Sequence, residues 1–580
     1  MKSTELYNLW KSNEYFNKEV REELEGISGD AKEIEERFYK ELEFGTGGLR
    51  GIIGAGTNRM NEYVVRKTTQ GISNYIIKKG DEYKKKGVVI SFDSRNKSPE
   101  FALEAALVFA NNGIKAYLFD ELRPVPILSY AVRYLKTSAG IMITASHNPK
   151  EYNGYKVYAD DGGQIPLDIS NAVLEEITNI SDITKINLID ESIAIEKDLL
   201  EIIGEEIDNS YIKDLKTLSV NPKIIKSLSD SFKIIYTPLH GTGNKPVRRI
   251  LSEVGFNNVL VVKEQELPDG NFPTVKSPNP EEKEAFKLAI DYAKKENVDL
   301  IIGTDPDCDR VGVVVRNADN EYVTLTGNQI GCLMLEYILS QKNKNNCLPE
   351  NGFVVKTIVT TEMSRVIADN YKIELVEVLT GFKFIGEKIK DLDEFGDKKY
   401  LFGFEESYGY LAGTFARDKD GVVTSMLIAE LAAFYKTKNM SLYEGLQKLF
   451  SEYGYFLETL TSYKLEGQEG NKKINDTIEI LREKKANAFE NLKINKLRDY
   501  KISRTYNFIN DREELIDLPK SNVLYYELDN NFWFCIRPSG TEPKIKIYYG
   551  ITGKTKELAQ KNLDDLKTNV LKVIDNLLEI

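Results

Sequence analysis

Cysteine and histidine are scarce in this sequence, with four of the first and two of the second among 580 residues. Cys308, Cys332, Cys347 and Cys535 fall in no metal-ligand spacing and are too sparse for a disulfide framework, which points to a reducing compartment. No apolar run is long enough to span a bilayer, and Met1–Leu6 lacks the apolar core of a secretory signal. The expectation is a cytoplasmic protein without a membrane partner. Basic residues are in deficit, 78 Lys and Arg against 90 Asp and Glu, and a net charge of −12 argues against a nucleic-acid partner. Several familiar signatures are missing as well. Phe44–Gly51 is glycine-rich, but Arg50 stands where the third glycine of a dinucleotide fingerprint belongs, and the stretch reads as a flexible turn. Gly553-Lys554-Thr555 mimics the end of a P-loop, yet Tyr548 occupies its first glycine position. Without a Gly-x-Ser-x-Gly elbow, and with His147 and His240 as the sole histidines, a serine hydrolase gets little support.

What is present is a globular composition, 41% hydrophobic and 29% charged, on a chain long enough for about four domains with separate cores. After a charged, helix-rich start (Glu33–Leu42 reads as an amphipathic helix), strands and helices alternate from Val88. Val88–Phe92, Ile114–Phe119 and Ala139–Thr144 read as strands, with Ser98 as N-cap and Pro99 at N1 opening one helix and another over Val125–Leu135. A second round runs through Lys233–Tyr236, Val259–Val262 and Asp299–Ile302, with helices Lys245–Val254 and Glu281–Glu296. A third runs through Phe353–Thr357, Glu374–Leu379 and Tyr400–Phe404. Such alternation implies α/β units with parallel strands. The last part changes to mixed strands and helices. Boundaries are placed to give units 1–207, 208–322, 323–446 and 447–580.

Each round ends in a strand that empties into a polar loop, and open α/β sheets bind ligands beyond the carboxyl ends of their strands. The first loop holds Thr144-Ala145-Ser146-His147-Asn148-Pro149. Ser146 alone reads as turn chemistry, and in an extended chain His147 would point away from it. The second loop places Asp305, Asp307 and Asp309 at alternate positions between buried-type strands. Three such carboxylates repel unless a hard cation such as Mg²⁺ neutralises them, and Arg310 and Arg316 at the sixth and twelfth positions exclude an EF-hand. In the third, Glu405, Glu406 and Ser407 can bind vicinal hydroxyls. In the last part, Arg537-Pro538-Ser539-Gly540-Thr541 offers a guanidinium fork, two hydroxyls and a glycine to an oxyanion. His240 reads as a structural histidine. A serine, a cation site, a hydroxyl grip and a phosphate cradle, with no nucleotide site, leave phosphoryl transfer through the serine as the economical chemistry.

These four loops together resemble the α-D-phosphohexomutase family, over nearly the whole chain. The resemblance implies three related α/β domains with mixed sheets and a C-terminal α+β domain around a central cleft. It implies that Ser146 carries the phosphoryl group and shares Mg²⁺ with Asp305, Asp307 and Asp309. Arg50, Lys156 and His147 would serve the transfer, Lys156 being preferred for the hydroxyl proton provided its neighbours lower its pKa. Glu405, Ser407, Thr380, Gly381, Lys383, Lys419, Arg310, Arg537, Ser539, Gly540 and Thr541 would hold the sugar phosphate. Glu405-Glu406-Ser407 looks like the glucose version of the sugar loop, and the chain is similar to the long branch that holds phosphoglucomutases and phosphopentomutases. Asp-Pro-Asp-Cys-Asp-Arg departs from the more usual Asp-Gly-Asp-Gly-Asp-Arg at Pro306 and Cys308. The expected activity interconverts glucose 1-phosphate and glucose 6-phosphate, with glucose 1,6-bisphosphate as intermediate and activator. Pentose and mannose phosphates stay open as substrates, as does synthesis of the bisphosphate itself. A non-catalytic binder would need neither Ser146 nor the three aspartates.

Overall fold

The computed structural model describes residues 3–45, 47–465, 467–538 and 544–579. Among them, four sheets are formed. The first three share one plan. In the first, strands Val88–Phe92, Ala116–Phe119 and Ala139–Ile143 are parallel, with Val88–Phe92 in the middle, and Tyr152–Ala159 returns antiparallel beside Ala139–Ile143. The second repeats this with Lys233–Thr237 between Asn258–Val261 and Leu300–Thr304, and Val311–Arg316 as the antiparallel return. The third does so with Gly352–Thr357 between Glu374–Val378 and Lys399–Phe404, and Tyr410–Ala412 as the return. The sheets are therefore mixed, and the alternation pattern accounts for their parallel strands alone. The fourth sheet has seven antiparallel strands, in the spatial order Tyr455–Lys464, Lys544–Gly553, Trp533–Pro538, Leu524–Leu528, Ile494–Asp499, Arg504–Asn507, Arg512–Leu515. Ile474 and Ile478 of helix Gly467–Lys484, and Leu563, Leu566 and Val570 of helix Lys556–Leu578, pack on it, giving an α+β unit.

Three sequence expectations are corrected here. The glycine-rich stretch is not a free turn: Gly48–Ile52 is an edge strand paired antiparallel with Tyr152–Ala159. A Cβ on Gly48 (φ 151°) would stand 2.0 Å from the Tyr155 carbonyl oxygen, so glycine is what permits the pairing. Ser98 does not cap its helix. Its hydroxyl donates to Asp93 Oδ1 at 2.8 Å, and left-handed Lys97 precedes the helix Ser98–Asn111. The helix expected over Glu281–Glu296 starts late, as a 3₁₀ turn Lys283–Phe286 followed by the α-helix Lys287–Lys295.

The cores are only partly separate: each α/β unit keeps an apolar cluster of its own, around Ile90, Ile301 and Phe353, and shares a larger one. One continuous apolar cluster joins all three α/β units, from Val89 and Tyr211 through Ile234 and Ile302 to Phe404. At its centre lies helix Gly421–Lys436, buried on nearly every side because it is apolar all round. The fourth unit keeps its own core. A further cluster gathers Tyr7, Trp10, Phe16, Phe38 and Tyr63 from the N-terminal helices and the start of helix Glu62–Lys78. No helix among the described residues is long and apolar enough to cross a membrane.

Candidate active site

In each of the first three units the polar loop is the turn between the third parallel strand and its antiparallel return. Sequence order thus puts Ser146, the Asp305–Asp309 triplet and Glu405–Ser407 at equivalent places in three related sheets, and the shared core brings those places together.

Ser146 adopts a left-handed conformation (φ 53°), uncommon outside glycine, with its N–H donating to Thr144 Oγ1 at 2.8 Å. This bend aims Oγ at Asp305 Oδ2, 2.8 Å away, and brings His147 Nδ1 within 3.1 Å of the same Oγ. Divergent side chains were expected from an extended chain, and the left-handed residue cancels that alternation.

The aspartate loop curls on itself. Asp305 Oδ1 accepts from the N–H groups of Asp309 (3.1 Å) and Arg310 (3.0 Å), and the Cys308 N–H donates to the Asp305 carbonyl at 2.9 Å. Cys308 is itself left-handed (φ 52°) and its thiol is buried. The result gathers one oxygen each from Asp305, Asp307 and Asp309 within 4.8 Å of one another, all three residues buried. Asp307 Oδ1 and Asp309 Oδ1 have no hydrogen-bond partner. Buried anionic oxygens without donors, beside a hydroxyl, fit a hard divalent cation.

Three cations surround this triplet. Lys156, on the return strand Tyr152–Ala159, reaches Asp307 Oδ2 at 2.8 Å and Asp309 Oδ2 at 3.4 Å. Lys419 reaches Asp309 Oδ2 at 3.2 Å and Asp418 Oδ1 at 2.9 Å. Arg310 Nη1 donates to the Glu281 carboxylate and, at 3.1 Å, to the Ser407 carbonyl, tying the aspartate loop to the Glu405–Ser407 loop. Burial pulls the Lys156 ammonium down, but Asp307 and Asp309 outweigh it and hold the group above its ordinary value. The neighbours expected to lower its pKa therefore raise it in this arrangement. Asp309 is the converse: burial pushes it up, and Lys419, Lys156 and Arg310 bring it well below the usual carboxylate range. His147 is driven well below its ordinary value by burial first, then by Arg310 and Arg50, so its ring is neutral. Arg50, on the edge strand, donates from Nη1 to Asn148 Oδ1 at 3.0 Å and so touches the serine loop from outside.

In the third unit Glu405 Oε1 accepts from the Gly381 N–H at 2.9 Å, and the Ser407 hydroxyl lies 3.4 Å from Oε2. Burial pushes the Glu405 carboxyl up to about 7. Glu406 accepts from the hydroxyls of Thr357 (3.2 Å) and Thr360 (3.3 Å). Thr380 Oγ1 accepts from Arg537 Nη1, which links the third unit to the fourth. Lys383, in helix Phe382–Ile389, lies 5.1 Å over the Phe384 ring with its pKa lowered by burial. Ser539, Gly540 and Thr541 lie outside the described residues.

Two neighbours carry no motif and escape a reading of the sequence. Lys546 pairs in register with Arg537 on the adjacent strand, and burial followed by Arg537 lowers its pKa. A lysine inside an apolar strand was the available signal. Asp418 is buried between Lys419 and the Tyr158 hydroxyl, which donates to it at 2.9 Å. Its signal was the charged run Arg417-Asp418-Lys419-Asp420 directly before an apolar helix. His240 is structural, its ring held by the Leu267 carbonyl (3.1 Å) and the Thr274 hydroxyl (2.9 Å).

Comparison with known proteins agrees with this layout. The phosphoglucomutase/phosphomannomutase alpha/beta/alpha domain I matches residues 41–184, domain II residues 209–319, and domain III residues 326–453. A phosphoglucomutase of Staphylococcus haemolyticus is 39% identical over 519 residues, 89% of this chain and 91% of its own. One from Staphylococcus aureus is 38% identical over 525 residues, covering 90% and 91%. Among solved structures, the fold is shared with the phosphoglucomutase parafusin of Paramecium in its open form, at 19% identity and a TM-score of 0.70, over 93% of this chain and 96% of that one. With the Ser146 loop inside the domain I match, the aspartate loop inside domain II and the Glu405–Ser407 loop inside domain III, the chain belongs to the phosphoglucomutase/phosphomannomutase family, the α-D-phosphohexomutases.

Proposed function

We propose that the protein interconverts glucose 1-phosphate and glucose 6-phosphate through a phosphorylated Ser146. The observation that carries the reading is the 2.8 Å contact between Ser146 Oγ and Asp305 Oδ2, across two units, with two further aspartates and two lysines around it. Asp305, Asp307, Asp309 and the Ser146 oxygen would hold Mg²⁺, which supplies charge stabilisation for a phosphoryl group in flight.

The chain's own residues do the rest. Glu405 and Ser407 bind sugar hydroxyls, a role supported by their being fixed to Gly381 and to each other. Gly381 and Thr380 shape that pocket, and Lys383 and Lys419 add positive charge to it. Arg537, with Ser539, Gly540 and Thr541, holds the phosphate that is not reacting, and Lys546 is placed to assist. Ser146 gives its phosphoryl group to the O6 hydroxyl of glucose 1-phosphate, forming the 1,6-bisphosphate. After the sugar turns end for end, Ser146 Oγ takes the phosphoryl group from O1 and glucose 6-phosphate leaves. The proton lost by O6 in the first step is returned to O1 in the second, with Lys156 and His147 flanking the reacting position. Arg50 and Arg310 add positive charge at the rim. Glucose 1,6-bisphosphate acts as activator by phosphorylating a Ser146 that has lost its group. The Glu-Glu-Ser sugar loop and the two staphylococcal relatives support glucose over mannose or pentose phosphates.

The test is direct. Ser146→Ala should abolish turnover, and incubation of the parent with glucose 1,6-bisphosphate should add one phosphate to Ser146 by mass spectrometry. Full activity without that adduct would falsify the carrier role. A panel of glucose, mannose, glucosamine and ribose 1-phosphates should show glucose preferred.

A further inference from the structure

Behind the serine loop lies a guanidinium that none of the roles above uses. Arg95 is among the largest fully buried side chains, 1% exposed, and it follows strand Val88–Phe92 rather than any of the functional loops. Nη1 donates to the carbonyls of Pro149 (2.9 Å) and Tyr152 (3.0 Å), and Nη2 to those of Ser146 (2.5 Å) and Asn148. One planar fork therefore gathers four carbonyls from the serine loop and the first residue of the return strand Tyr152–Ala159. Its own placement is fixed. Asp93 accepts from the Arg95 N–H at 2.9 Å and faces its Nε at 3.4 Å. Asp93 also accepts from the Ser98 hydroxyl (2.8 Å) and from Thr144 Oγ1 (2.6 Å), and that Thr144 oxygen is the atom to which the Ser146 N–H donates.

The second unit closes the other side. Phe272 lies 5.1 Å over the guanidinium, Gly270 packs on the Arg95 and Asn96 backbone, and the Ser277 hydroxyl donates to the His147 carbonyl at 2.9 Å. A strap of the second unit thus presses on the device that holds the serine of the first. A left-handed, non-glycine residue such as Ser146 persists only where its surroundings over-determine it.

We infer that Arg95 is the positioning residue of Ser146, fixing the loop carbonyls so that Oγ stays aimed at the aspartate triplet, with Phe272 as its lid from the neighbouring unit. Arg95 touches neither substrate nor the transferring group, so its effect falls on how often Ser146 is presented correctly, and not on how the sugar phosphate is gripped. The inference rests on Ser146 being the phosphoryl carrier.

The test compares Arg95→Lys, Arg95→Gln and Phe272→Leu with the parent, each with saturating Mg²⁺ and glucose 1,6-bisphosphate. Lysine keeps the charge but cannot reach four carbonyls in one plane. Arg95→Lys is expected to lose at least tenfold in kcat while KM for glucose 1-phosphate moves less than threefold, and Arg95→Gln to lose more. Phosphate incorporation at Ser146 should slow in step with kcat. Phe272→Leu, which leaves the fork intact and removes its ring, should show the same split, smaller in size. It decides the matter if the Arg95 variants fail to fold. Parent-like kcat in Arg95→Lys, or in Phe272→Leu where that variant has to decide, overturns the inference, as does a loss expressed mainly in KM. If the parent itself takes no phosphate on Ser146, the proposed function fails instead, and the two failures are told apart by that control.

Discussion

Glu458 gives the sharpest quantitative prediction. It lies on strand Tyr455–Lys464, where the fourth unit meets the third, and accepts from Asn328 Nδ2 at 3.1 Å. Burial pushes its carboxyl from the ordinary 4.5 up to about 7. At about 1.4 kcal/mol for each tenfold change in an ionisation equilibrium, this displacement sets a penalty on the order of 3 kcal/mol. Above about pH 7 both folded and unfolded chains are ionised, and the folded state bears all of it. As pH falls toward 4.5 the folded carboxyl takes up its proton first and the penalty fades, to roughly 1 kcal/mol or less at pH 5. Glu458→Gln keeps an acceptor for Asn328 and removes the charge, so it should stabilise the fourth unit at pH 8 by up to about 3 kcal/mol and do little at pH 5. Trp533 is a local reporter, since Gly550 lies opposite both Trp533 and Glu458 in the sheet. The chain's other tryptophan is removed by Trp10→Phe. Urea unfolding followed by Trp533 fluorescence at the two pH values reads the difference. An equal effect at pH 5 and pH 8, or destabilisation at pH 8, refutes the reasoning.

Asp420 should be as sensitive for a different reason. It caps helix Gly421–Lys436 through the N–H groups of Val422 and Val423, both at 2.9 Å, and accepts from the buried Tyr211 hydroxyl at 2.8 Å. Asp420→Ala loses a cap and strands a buried hydroxyl, for about 2–4 kcal/mol in thermal or chemical unfolding, whereas Asp420→Asn should cost less than half of that. Chelation should silence turnover, and titrating Mg²⁺ back into stripped protein should raise its melting temperature. Mg²⁺-independent melting would argue against the carboxylate site.

How much could be read beforehand depended on whether the signal was local. The parallel strands and the helix Val125–Leu135 announce themselves by apolar runs and punctuation, and the helix bounds agree with the structure. The functional loops were visible because each is contiguous. The return strand Tyr152–Ala159 is not legible, because its Asn153 and Gly154 interrupt the pattern, and the glycines of the edge strand Gly48–Ile52 make it read as a turn. Gly154 is there because a Cβ would stand 2.5 Å from the Thr144 carbonyl. The left-handed bend at Ser146 is held from a distance by Arg95, and Lys546, Asp418 and Arg95 matter through contacts made across strands or units. Such contacts leave no periodic trace. The shared core of three units was hidden for the same reason: a helix apolar on all sides does not say which neighbours surround it.

The serine loop and the Glu405–Ser407 loop both touch the aspartate loop, and all three are anchored at both ends, by a parallel strand on one side and its return on the other. A rim built this way is stiff, and it cannot swivel to present itself to the opposite end of a sugar. The turning therefore falls to the ligand. Room for it would have to come from the fourth unit, which keeps its own interior and whose contacts with the third include a modest apolar patch around Leu379, Tyr525 and Trp533, the Arg498–Glu377 pair, the Asn328–Glu458 hydrogen bond and the Arg537–Thr380 contact.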